Sequence, residues 1–86
     1  MRVIPVLDLR NQTVVRAVGG QRSEYQPLAS PLVMSPEPGH VARCFADLGF
    51  AECYVADLDA IAGAEPDWRS LAAIRAAGSR IWLDAG

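Results

Sequence analysis

The stretch ECYVADLDAIAGAEPDWRSLAAIRAAGSRIWLDAG, residues 52–86, decides the fold class. It holds two short apolar runs, ECYVADLD (52–59) and RIWLDAG (80–86), on either side of a segment with helical spacing. In DWRSLAAIRAAG (67–78), Trp68, Leu71 and Ile74 are placed on the inner face and Arg69 and Arg75 outside it. Gly78 stands where that helix stops, and AIAGAEP (60–66) reads as a loop. A helix between two strands is the crossover that a parallel pair requires, whereas antiparallel strands need only a turn.

The same rhythm extends toward the N-terminus. RVIPVLD (2–8) is almost continuously apolar and β-branched, as a strand covered on both faces would be, although Pro5 cannot donate to a sheet ladder. TVVRAV (13–18) follows as a second strand of a hairpin turning at Arg10-Asn11-Gln12, since Asn tolerates positive φ. GGQRSEYQPLASPLVMSPEP (19–38) reads as one long Gly-, Pro- and Ser-rich connection. The first helix then starts with Ser35 as N-cap and Pro36 at its first position, carries Val41, Cys44, Phe45 and Leu48 at helical spacing, and closes on Gly49. The expected fold class is α/β: a single domain over 1–86 containing a parallel βαβαβ unit with right-handed crossovers.

Composition narrows the function classes. The chain has 86 residues, 51% of them hydrophobic and 21% charged, which is globular. A net charge of −2 supplies no basic field, so no nucleic acid and no anionic membrane surface is expected as a partner. No apolar run reaches the ~20 residues of a membrane span. Cys44 and Cys53 form neither a C-x-x-C nor a Cys/His cluster, so no disulfide framework and no metal site are expected. A soluble, reducing, cytoplasmic setting is the default expectation.

Three apolar runs end in an acid: Asp8, Asp57 and Asp84. In a parallel sheet these lie at the C-terminal strand ends, the edge where α/β barrels and doubly wound sheets bind ligands. A partly desolvated carboxylate there can exchange a proton with a substrate carbon or oxygen. The competing reading is that each acid caps its own loop by accepting backbone N–H bonds, and Asp57 fits that best, with Asp59 beside it. Gly19-Gly20 can cradle an anion but matches neither the P-loop nor the G-x-G-x-x-G spacing. Arg16 and Arg22 can reach a phosphate from the hairpin side, His40 is a lone polar residue in a first helical turn, and Trp82 is placed in the core.

VIPVLDLRNQTVVRAVGG and YVADLDAIAG, with the βα rhythm between them, resemble the start of the histidine-biosynthesis isomerases, the ProFAR isomerases, and the related cyclase subunit of imidazole glycerol phosphate synthase. Members open on an I-P-x-x-D-L strand, carry V-V-R on a short hairpin, and read V-D-L-D-x-A in the next strand. The resemblance implies a (βα)8 barrel that performs an Amadori-type isomerisation of a phosphorylated sugar without a cofactor. It places the family's catalytic aspartate on Asp8 and its hairpin arginine on Arg16. The resulting candidate site has Asp8 as acid/base, Arg16, Gly19, Gly20, Asp57 and Asp84 around the substrate, and no metal.

The chain also departs from that pattern. Asn11-Gln12 stands where the family turns on Asp-Gly, Gly19-Gly20 where it has Gly-Asp, and Leu83-Asp84-Ala85-Gly86 where it has a glycine cradle for phosphate. A carboxylate repels a phosphate, so these departures imply a divergent isomerase-like branch acting on another phosphosugar or carbonyl compound. The alternative is a non-catalytic α/β module whose acids are caps. Three strands and two helices are fewer than a barrel's eight of each, so the expectation is an N-terminal fragment that self-associates through open sheet edges and is inactive alone.

Overall fold

The computed structural model describes residues 3–18, 21–27 and 36–86, with side chains described for 3–15 and 36–86. One five-stranded sheet carries the order β3-β2-β1-β4-β5. Its strands are β1 (Val6–Arg10), β2 (Thr13–Val18), β3 (Gln21–Pro27), β4 (Glu52–Asp57) and β5 (Arg80–Asp84). The helices are α1 (Pro38–Asp47), the single turn α2 (Leu58–Ile61) and α3 (Trp68–Ala76). β1, β4 and β5 are parallel neighbours, while β1–β2 and β2–β3 are antiparallel. The parallel unit is therefore as the sequence predicts, with an antiparallel extension on the β1 side.

Pro5 lies just before β1 and outside its ladder, and its carbonyl accepts the Tyr54 N–H at 2.9 Å. The missing proline donor thus costs the sheet nothing. The hairpin turns on Asn11 (φ 52°) and Gln12 (φ 62°), both in the left-handed region that a two-residue I′ turn requires. Asp59 supports that geometry by accepting the Asn11 N–H at 2.7 Å from a point 48 residues away.

Within the expected 19–38 connection, Gln21–Pro27 forms strand β3, antiparallel to β2. QRSEYQP shows no apolar alternation because it is an edge strand whose pairing rests on backbone hydrogen bonds. The first helix begins two residues later than the sequence suggests. Glu37 is the N-cap, its carboxylate accepting the Gly39 and His40 N–H groups at 3.0 and 2.8 Å, with Pro38 at N1. The expected cap, Ser35, lies outside the described residues. The Pro36 carbonyl instead takes the Val14 N–H at 2.9 Å, which ties the helix entry to β2. Gly49 and Gly78, at φ +99° and +97°, end α1 and α3 as expected. The 52–59 strand stops at Asp57, because Asp57 caps α2 and turns the chain.

The core lies on one face of the sheet. Leu7 and Leu9 of β1, Val14 of β2, and Cys53 and Val55 of β4 pack against Val41 and Ala42 of α1 and Leu71 and Ile74 of α3. Both helices cover that face, and the opposite face carries none of the described helices. This sidedness corrects two expectations. Trp68 is 60% exposed, because six residues at 3.6 per turn set it about 120° round the helix from Ile74. Trp82 is 48% exposed, because it pairs with Tyr54 on the face that no helix covers.

Ile74 has no accessible surface. Ile74→Ala is expected to cost about 2–5 kcal/mol, read as a lower urea midpoint with an unchanged slope.

Candidate functional site

The register of the parallel strands fixes where the acids go. Asp8 pairs with Ala56, and Ala56 pairs with Asp84, so these three form one row across β1, β4 and β5. At a strand spacing of roughly 4.8 Å, the two aspartates stand about 10 Å apart with the small Ala56 side chain between them. Asp57 pairs with Leu9, one position further along. Asp57 and Asp84 are the last residues of β4 and β5, as the sequence predicts. β1, in contrast, runs from Val6 to Arg10 and not over 2–8, because the hairpin ladder with β2 extends it. Asp8 therefore lies level with those ends but two residues short of its own.

They do not share a face. Side chains alternate along a strand, and the buried Cys53, Val55 and Asp57 point to the helices while Glu52, Tyr54 and Ala56 point away. In β1 the same alternation puts Leu7 and Leu9 inward and Val6, Asp8 and Arg10 outward. Asp8 and Asp84 thus share the helix-free face, and Asp57 lies behind it. The signal was present in the spacing: Leu7 and Leu9 are core, so Asp8 cannot be.

Asp57 is 1% exposed, and both of its oxygens are engaged by backbone donors. Oδ1 accepts the Ala60 N–H at 3.2 Å and Oδ2 the Asp67 N–H at 2.6 Å. Asp67 in turn caps α3 by accepting the Ser70 N–H at 3.1 Å. The Asp57 carboxylate therefore joins the end of β4 to the starts of α2 and α3. Asp57→Ala removes a cap and strands a partly buried N–H, so a loss of about 2–4 kcal/mol is expected in a denaturant melt.

Asp84 is held differently. Its Oδ2 accepts the Tyr54 hydroxyl at 3.0 Å, and its Oδ1 accepts the Gly86 N–H at 3.2 Å. Tyr54 was not among the sequence candidates. The signal that identifies it is the diagonal between neighbouring parallel strands, which needs the β4–β5 register and not the motif alone. Arg16 is placed in β2 opposite Gln26, and its side chain lies outside the described residues, as do Gly19 and Gly20. The same edge also has an open pocket of about 590 Å³ behind the hairpin turn, lined by Gln12, Asp59, Glu65, Asp67 and Arg69 among others. Among the described residues, no three His, Cys, Asp or Glu side chains gather as a metal site, and no helix is long and apolar enough to cross a membrane.

The two cysteines are free thiols. Cys53 is buried, and its thiol is pushed up from the ordinary range by that burial, partly offset by the hydrogen bond donated from Ser79 Oγ at 3.2 Å. Cys44 lies 3.6 Å from His40 Nε2, one turn away on α1.

The Tyr54 phenol is raised above its ordinary value, first by the hydrogen bond it donates to Asp84, then by desolvation and by the Asp84 charge. A folded value above the unfolded one makes this interaction fully present below pH about 10 and lost as pH climbs through the raised value. In a Tyr25→Phe background, phenolate absorbance is expected to report Tyr54 ionising above that range. Asp84→Asn should bring it back down, and an unmoved titration would show that the pair does not form.

An uncharacterized protein of Methanocaldococcus jannaschii is 40% identical over 63 residues, which make up 73% of this chain and 28% of that protein. The match thus spans less than a third of that relative's length. No solved structure gives a significant match. A family model for histidine biosynthesis proteins matches residues 2–86, and the chain belongs to that family.

Proposed function

We propose that residues 1–86 form the first part of a (βα)8-barrel enzyme that isomerises a phosphorylated sugar, with Asp8 as its acid/base. The helix-free face of the sheet is then the inner wall of the barrel, and the C-terminal strand edge is the active-site mouth. The winding of the parallel strands supports this. β1, β4 and β5 follow one another in space as in sequence, with both long helices on one side, so the sheet advances in one direction without reversing. A doubly wound sheet would place helices on both faces. Exposed Val6, Tyr54 and Trp82 form a cross-strand row on the bare face, as wall positions awaiting interior packing would.

The single observation that carries the reading is the position of Asp8. It sits at the ligand-binding edge, outward from the helices, in a row with a second carboxylate. In the proposed reaction, its carboxylate removes the proton from the substrate carbon beside an imine or carbonyl. The electron pair of the broken C–H bond becomes the C=C of an enol-type intermediate. The π pair of the original C=O or C=N moves onto its heteroatom, which takes up a proton. The hydroxyl on the first carbon then loses its proton as a new C=O forms there, and the C=C pair takes a proton at the neighbouring carbon. This completes an aldose–ketose shift with no change in overall composition or oxidation level. Asp57 holds the loops behind the edge, and a substrate-binding role is proposed for Arg16, Gly19 and Gly20.

The test is Asp8→Asn in the full-length protein, with turnover measured on phosphorylated aminoaldoses. A fall of about 10²–10⁴-fold with little change in melting temperature is expected. Turnover like that of the unaltered protein would sink the assignment.

A further inference from the structure

We propose that Asp84, held by Tyr54, is a specificity-determining residue that reserves the β5 end of the site for a hydrogen-bond-donating group, a hydroxyl or an ammonium, and directs the anionic part of the ligand to the hairpin side. This rests on the Asp8-centred reading above and adds the polarity of the substrate to it.

The inference starts from the Tyr54–Asp84 pair and not from the number of acids. Tyr54 is a neutral phenol under ordinary conditions, and its raised ionisation keeps it a donor to Asp84 Oδ2 at 3.0 Å. The Gly86 N–H holds Oδ1 at 3.2 Å. With a fixed donor on each oxygen, the carboxylate keeps one orientation on the helix-free face. A carboxylate has about four acceptor positions, so two remain for a ligand. Those positions accept O–H or N–H groups and repel a phosphoryl oxygen.

Beyond the other end of the row, past Asp8 itself, the face gains a cation. Arg10 lies two residues beyond Asp8 on the same face of β1, and it pairs with Thr13 at the hairpin. Along β1 the face therefore carries Arg10 beyond Asp8 on the hairpin side, and two strands away it carries the Asp84 carboxylate, with the small Ala56 in the row between the two aspartates. A ligand anionic at both ends meets repulsion at Asp84, and one that is anionic at one end and donor-rich at the other matches both. Rejection by a misplaced like charge is an effective source of specificity.

The experiment compares two probes on the full-length protein by calorimetry: D-glucosamine 6-phosphate, with one phosphate and an amine, and D-glucose 1,6-bisphosphate. Selectivity for the amino sugar phosphate of about tenfold or more is expected. Asp84→Asn, which keeps the shape and removes the charge, should narrow the ratio about tenfold. Tyr54→Phe should narrow it by a smaller factor without altering the fold, as seen in near-ultraviolet circular dichroism. Equal or tighter binding of the bisphosphate by the unaltered protein overturns the proposal, as does an unchanged ratio in Asp84→Asn. An unchanged ratio in Tyr54→Phe removes Tyr54 from it. Binding of neither probe counts against the sugar-phosphate site itself, which the Asp8→Asn turnover measurement tests separately.

Discussion

The parallel register of β1, β4 and β5 is the constraint on which the rest of the molecule depends. Parallel pairing sends every strand end to one edge, and the two-residue period of each strand then sorts neighbouring side chains onto opposite faces. A slip of one residue in β4 would turn Asp57 outward and drive Tyr54 into the helices. The burial of Cys53 and Val55 against α1 and α3 opposes such a slip, because it would expose both and bury polar groups without partners. The C-terminal edge of the parallel strands is thus fixed by the hydrophobic core beneath it.

Asp57 shows how the two roles divide. A carboxylate in the core is tolerated only where its oxygens find donors, and Ala60 and Asp67 provide them. Asp59 in the same motif and Asp8 on β1 serve elsewhere: Asp59 holds the hairpin turn and Asp8 faces the open side. Four consecutive residues, Asp57 to Ala60, therefore link β1, β4, α2 and α3. The family's second-strand motif can be understood here as scaffolding for the edge.

Much of this was legible in the sequence. The helical spacing of Leu71 and Ile74, the stops at Gly49 and Gly78, and the hairpin at Asn11-Gln12 are local signals, and each has its structural counterpart. The acids at the strand ends were legible for the same reason. What the spacing did not disclose was non-local. β3 has no apolar pattern because its partner is a backbone, and the cap at Glu37 shows only in its carboxylate reaching the Gly39 and His40 N–H groups. Helical spacing put Trp68 on the inner face of its helix and Trp82 was placed in the core, whereas their exposure follows from exact helix phase and sheet sidedness. Tyr54 acquires meaning only once β4 and β5 are aligned.

The hairpin turn carries a consequence for how the chain assembles. A two-residue turn with left-handed geometry at both positions forms readily when glycine is present, and here neither residue is glycine. Its anchoring donor, the Asn11 N–H, finds its acceptor on Asp59, 48 positions along the chain. The most sequence-local element of the sheet therefore draws part of its stability from a distant segment, and loop closure over that span must precede the hydrogen bond. The first strand pair is in this sense coupled to the second βα unit: neither reaches its final geometry as an independent module, and the edge bearing Asp8 matures only when both have formed.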